Sequence, residues 1–258
     1  MTTTTTLHPA MHRAALIAGL GLLLMAVLAG LATFGVLERV VTDGDASRTT
    51  SDILASFGSF RLAILTLFGV AVLDVVVAWA LWAFFDRVHH TVAVLAAWCR
   101  GLYAVVFAVA ISQLVAAARL LADGRLRGQA DRQLQSEVLT QIEQFDDIWS
   151  LGLGLFGIHL LLIGWLAFRS GYVPRFIGVL VSIAGTGYLV DSFGGLLFAT
   201  YTFELASFTF IGEVVLMIWL LVFAARRQRN EGGSSDDHQL AGLSGSSKIR
   251  NSGPESRS

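Results

Sequence analysis

Cysteine, lysine and proline are almost missing from this chain, and charge of either sign is scarce. One cysteine, Cys99, cannot pair within the chain, which excludes a disulfide-stapled scaffold, and a lone thiol in an apolar run reads as a small hydrophobe. The single lysine, Lys248, lies in the polar C-terminal segment. A retinal protein needs a membrane lysine for its Schiff base, so that class is excluded too. Of three prolines, only Pro174 falls in the body of the chain, since Pro9 and Pro254 sit near its ends. Charged residues make up 14% of the sequence against roughly a quarter in soluble domains, and the net charge of −1 offers nothing to nucleic acid. Motifs of catalysis are missing as well: there is no H-E-x-x-H and no G-x-S-x-G. "GLGLFG", with Gly152, Gly154 and Gly157, matches the dinucleotide pattern G-x-G-x-x-G. It follows no strand and lies inside an apolar run, where small residues serve close helix packing, as do Gly178, Ser182 and Thr186. His89 and His90 are neighbours on a turn without a further ligand set, so no metal site is expected, and no cofactor either.

What the chain has instead is apolar length. Apolar residues are 55% of the sequence, and they form runs that match the about 20 helical residues needed to cross a core of roughly 30 Å. Six such runs stand between charged punctuation: Ala14 to Val36, Phe60 to Phe85, Thr91 to Leu121, Ile148 to Phe168, Pro174 to Thr200 and Phe203 to Ala225. Lipid supplies no partner for a bare backbone amide, so each run is expected to be a helix. The first run follows His12 and Arg13, but it is longer than a signal-peptide core and five more runs follow. The expected fold class is therefore all-α, an integral membrane bundle of six transmembrane helices over 14–225. Residues 1–13 form a cytoplasmic N-terminal segment, and the Gly- and Ser-rich residues 226–258 read as a disordered cytoplasmic tail.

Arginines flanking the spans are nearly balanced between the two sides, so loop length helps to set the orientation. The connections "DRVHH" and "RSGYV" are tight, and "ARRQRN" abuts the last run; these are assigned to the cytoplasm, with both ends of the chain. The two long connections fall on the outer side. In one of them Leu134, Val138, Ile142 and Phe145 recur at helical spacing, and Ile53, Leu54 and Phe57 form a shorter version. Both are expected to be short amphipathic helices lying on the outer interface. Trp82, Trp165 and Trp219 near inner helix ends and Trp149 near an outer one suit interfacial belts.

Four ionisable residues fall at membrane depth, where they are costly and therefore candidates for function: Asp74, Arg100, His159 and Glu213. Counted from the cytoplasmic helix ends, all four lie near the midplane. The tight hairpin through Arg87 brings Asp74 and Arg100 side by side, which favours an ion pair. Side chains lean toward their helix N-terminus, however, so in this antiparallel pair Asp74 leans outward and Arg100 inward, which leaves Arg100 free to reach cytoplasmic water or Glu213. A histidine at the depth of His159 is more often a bridge between helices than a ligand-binding group. A lone carboxyl such as Glu213 must be paired, protonated or wetted. Asp191 lies nearer the outer surface, beside Gly194 and Gly195, and is a weaker candidate. In the same span "SIAGTGYLVDSFGG" could break the helix near Gly185 and Gly187, the interruption seen in many transporters.

The block "LFGIHLLLIGWLAFRSGYVPRFIGVLVSIAGTGYLVDSF", residues 155–193, resembles the signature of a prokaryotic membrane-protein family, domain-of-unknown-function family 4386. The likeness extends to "HRAALIAGL", to "VLDVVVAWALW" and to "WCRGLYAVVFAV". It implies a multi-pass protein of a prokaryotic plasma membrane without an established activity. The pattern takes in Asp74, Arg100 and His159 and does not take in Glu213. Within it, "RSGYVPRFIG" reads as a tight inner turn: Arg169 at a helix C-terminus, Gly171 in the left-handed cap conformation, Tyr172 at the headgroups and Pro174 in the first turn of the next helix.

Two readings of the polar layer stay open. In one it binds or moves a proton, an ion or a small polar solute. In the other it fastens helices together in a non-catalytic membrane partner or sensor subunit. An embedded enzyme ranks third. Apart from the lipid bilayer, no partner is legible.

Overall fold

The computed structural model describes residues 9–127, 132–198, 205 and 210–225; the expected tail over 226–258 and the connection around Tyr201 lie outside these. Among the described residues there is no strand, as the solvent argument requires. The helices are α1 (Pro9–Ala32), which continues through a π-helical turn, Thr33–Leu37, into α2 (Glu38–Val40), then α3 (Ala46–Ala55), α4 (Phe57–Phe85), α5 (His90–Arg127), α6 (Arg132–Arg169) and α7 (Arg175–Leu197). A last helix, α8, covers Ile211–Ala225.

Five helices, not six, are long and apolar enough to cross a membrane. The sixth expected span is described as helix only over α8, whose 15 residues (211 through 225) reach about 22 Å at 1.5 Å per residue, short of a core of roughly 30 Å. Phe210 lies in a turn before it. At its start Gly212 packs onto the Leu180 carbonyl of α7, an approach that a side chain would block.

The exterior is apolar. Leu62, Leu65, Phe68, Val72, Val75 and Trp79 run down the exposed face of α4, and Leu95, Trp98, Leu102, Val105 and Val109 do the same on α5. The spacing of three and four that marks an inward stripe in a soluble protein here marks both sides of each helix, with lipid as the outer partner. Neighbours in the bundle follow chain order: α1 packs on α4, α4 on α5, α5 on α6 and α6 on α7. The arc is closed by α8, which meets α7 at Gly212 and α1 where Leu221 fills the space beside Gly19. His12 of α1 stacks on Phe223 of α8 at 4.6 Å. Along α6 and α7 the backbones touch: a Cβ on Gly164 would stand 2.7 Å from the Gly178 carbonyl, and one on Gly157 2.8 Å from that of Gly185. α7 is continuous through Gly185 and Gly187, so the expected break is not there; these glycines give close packing instead.

One end of the bundle carries the two tight turns, and it is labelled the inner end only to keep the directions apart. Gly171 has the expected positive φ of 72°. Pro174 is the N-cap residue, one position earlier than expected, with α7 starting at Arg175. Tyr172 has a packing role: its hydroxyl donates to the Phe84 carbonyl at 3.0 Å, and its ring meets Phe84 edge-on, which ties this turn to the end of α4. Arg169 lies over the Trp165 ring at 5.5 Å.

The outer end differs from expectation. Leu134, Val138, Ile142 and Phe145 do not belong to a separate interfacial helix, because α6 runs unbroken for 38 residues, matched by 38 in α5. At 1.5 Å per residue each is about 57 Å long, nearly twice the thickness of the hydrocarbon core. Val138, Ile142 and Phe145 are buried, because the stripe meets protein on the outer extension. α3 packs on α6, capped by Asp45, whose carboxylate accepts from the Arg48 amide at 2.9 Å, and it buries Ile53.

Candidate functional site

The inward stripe of α4 runs through Leu67, Val70, Ala71, Asp74, Val77 and Leu81, and that of α5 through Ala96, Arg100, Tyr103 and Phe107. On α6 the stripe is Gly152, Phe156, His159, Leu160 and Ile163. The periodicity that selects each buried face therefore also points Asp74, Arg100 and His159 into the bundle. Asp74 is 11 residues from the inner end of α4, Arg100 10 from that of α5 and His159 10 from that of α6, or roughly 15–17 Å deep on all three helices.

These three meet. Arg100 Nη2 stands 2.8 Å from Asp74 Oδ1, and the residues are 2% and 1% exposed. The contact is an ion pair by distance but not an aligned hydrogen bond, since both Asp74 oxygens lack a partner of good geometry, as does Arg100 Nε. Opposite leans of the two side chains account for the misalignment. Arg100 Nη1 is 3.3 Å from His159 Nε2, and Nη2 is 3.8 Å from the Met25 sulfur. His159, 0% exposed, has Nδ1 2.8 Å from the Ala96 carbonyl. A carbonyl only accepts, so Nδ1 carries the proton and Nε2 accepts from the guanidinium; the ring's partners fix its tautomer. Phe156 lies 5.1 Å from the guanidinium, on the same helix as His159.

The fourth residue is placed otherwise. Glu213 on α8 sits in the wall of a cavity of about 580 Å³, which Asp74 and Arg100 also line. Tyr188 of α7 lines the same cavity, and Glu213 Oε1 is buried without a hydrogen-bond partner. Tyr103 also lines the cavity, and its hydroxyl accepts from Trp149 Nε1 at 3.1 Å. Trp149, expected in an interfacial belt, is thus a cavity residue. Toward the outer end the lining turns apolar: Leu67 on α4, Phe107 on α5 and Phe34 in the π turn. The site has a polar floor at mid-depth and an apolar shaft above it. The π turn lies at the far end of that shaft, a common position for π segments.

Sequence reasoning missed Tyr103, Trp149, Tyr188 and Met25. Tyr103 carried a signal, three residues from Arg100 on the same face; Met25 and the π turn carried none. Asp191 is not in the cavity: its carboxylate accepts from the Leu205 amide at 3.1 Å, beyond the end of α7. A second concavity of about 620 Å³, between α6 and α7, runs past Gly164, Trp165, Gly178, Ser182 and Thr186 and has no ionisable group in its lining. Among the described residues no group of three or more His, Cys, Asp or Glu side chains is arranged to hold a metal ion.

The family model described as "Domain of unknown function (DUF4386)" matches residues 17–224. The chain belongs to this family. The matched stretch of this DUF4386 protein takes in all eight helices in part or whole, and Glu213 falls inside it along with Asp74, Arg100 and His159. An uncharacterized protein of Archaeoglobus fulgidus is 32% identical to it over 160 residues, which is 62% of this chain and 82% of the archaeal one. No solved structure matches.

Proposed function

We propose that this DUF4386 protein sits in a prokaryotic plasma membrane with both ends in the cytoplasm, and that its mid-depth cavity binds a small solute carrying a polar group. The observation that carries the reading is Glu213. It is a carboxyl on the wall of a cavity of about 580 Å³, and its Oε1 is buried without a hydrogen-bond partner. Burying a polar group without a partner is costly unless something occupies the site for at least part of the time. Largely apolar pockets with a few convergent polar groups are the usual form of small-molecule sites. Asp74, Arg100 and His159 serve as the frame that fixes the floor. Their contacts with one another favour the second reading, a structural layer in a partner or sensor subunit, for those three residues alone; they leave Glu213 unexplained.

Accessibility tests this. In a Cys99→Ala background, Val214→Cys on the cavity wall is expected to react with a small methanethiosulfonate reagent in liposomes, and Leu220→Cys, buried on the same helix, is not. Equal inertness of the two would sink the reading.

A further inference from the structure

We propose that the cavity takes an organic monocation, a protonated amine or onium group on an apolar body, with its charge at Glu213 and its body in the aromatic shaft. This rests on the binding-site reading and names its ligand class. The first argument is a charge count. Three side chains in the lining are ionisable near neutral pH: Asp74, Arg100 and Glu213. Arg100 is matched by Asp74 at 2.8 Å, so Glu213 is the group left over. An anionic solute would find no free cation on this wall, because the guanidinium is already engaged by Asp74, His159 Nε2 and the Met25 sulfur. A cation would meet Oε1, which has no hydrogen-bond partner.

Size and lining extend the argument. A proton or a bare metal ion needs almost none of about 580 Å³. Water at about 30 Å³ per molecule would have to fill it with some twenty molecules, against walls that offer few polar partners. The rings of Phe34, Tyr103, Phe107, Trp149, Phe156 and Tyr188 all line it, several packed on one another, as Tyr103 on Phe107 at 5.9 Å and Phe156 on Tyr188 at 5.3 Å. Aromatic faces attract a desolvated organic cation and are indifferent to an organic anion's charge at best. The axis is set as well. Leu67 lies seven residues outward from Asp74 and Phe107 seven from Arg100, so the apolar shaft extends about 10 Å from the polar floor. An amphiphile fits that polarity with its head inward.

The test uses tetraphenylphosphonium and its anionic counterpart of nearly the same shape, tetraphenylborate, with the full chain in lipid nanodiscs. Binding is measured by equilibrium dialysis against empty nanodiscs. The phosphonium is expected to bind saturably, at least tenfold more tightly than the borate, and at least tenfold more weakly to Glu213→Gln, with Glu213→Asp recovering part of the loss. Equal binding of the two probes, or phosphonium binding unchanged in Glu213→Gln, overturns the cation assignment. The wild-type comparison of the two probes stands even if Glu213→Gln fails to fold, and Trp149→Leu, which removes a ring from the lining, then serves as the second variant, with weaker phosphonium binding expected. If neither probe saturates while Val214→Cys remains reactive, the monocation proposal fails and the binding-site reading survives. If Val214→Cys is inert too, both fail.

Discussion

The two halves of the polar layer differ in whether an oppositely charged partner stands within reach. On one side Asp74, Arg100 and His159 come from three consecutive spanning helices, close on one another and end on a backbone carbonyl, all but sealed from solvent. On the other side Glu213 comes from α8, described as helix only over Ile211–Ala225, forms no ion pair among the described residues and keeps Oε1 unmatched beside the cavity. Similar depth in the membrane therefore does not mean similar use. On the proposed reading the paired charge is a fastener and the charge without a charged partner is a contact surface.

The largest effect that could break this contrast is expected at the fastener. Asp74→Asn strands the guanidinium in apolar surroundings and should cost about 3–5 kcal/mol, seen as loss of monodisperse protein in detergent. Removing both charges in Asp74→Asn with Arg100→Gln should recover most of it; single variants as stable as wild type would refute the fastening role. Next comes His159→Phe, which removes both the acceptor for Arg100 and the donor to Ala96, with an expected loss of about 1–3 kcal/mol in thermal unfolding. Glu213→Gln should move stability by no more than about 1 kcal/mol while weakening cation binding at least tenfold, as in the dialysis test. A loss as large as that of Asp74→Asn would make Glu213 a fastener as well and erase the comparison. Smallest of all, Ser51→Cys in a Cys99→Ala background should leave stability unchanged and be labelled from outside intact cells, since Ser51 is exposed on α3. No labelling there, with labelling after lysis, would invert the proposed orientation.

Much of this could be read before any coordinates. The hairpin through Arg87 is short enough that Asp74 and Arg100 had to be neighbours, and the family block around "RSGYVPRFIG" marked its turn correctly. Other features were out of reach. His159 is 59 residues from Arg100, and nothing in the local pattern says which way around its axis α6 is rotated when it meets α5. The stripe through Val138, Ile142 and Phe145 looked interfacial because an amphipathic face does not declare whether its apolar partner is lipid or another helix.

The sequence by itself determined the solvent and the secondary structure. Whether a run of apolar residues is long enough for about 30 Å of hydrocarbon, and whether its amides must bond within the run, are properties of the run alone. It set which residues share a side of each helix, through the helical period, but not which side faces inward. Only the tertiary structure decided which buried polar atoms are satisfied. A hydrogen bond between helices depends on crossing and rotation to within a few tenths of an ångström. That precision comes from the contacts of all neighbours at once, and it is what separates a paired Arg100 from an unpaired Glu213.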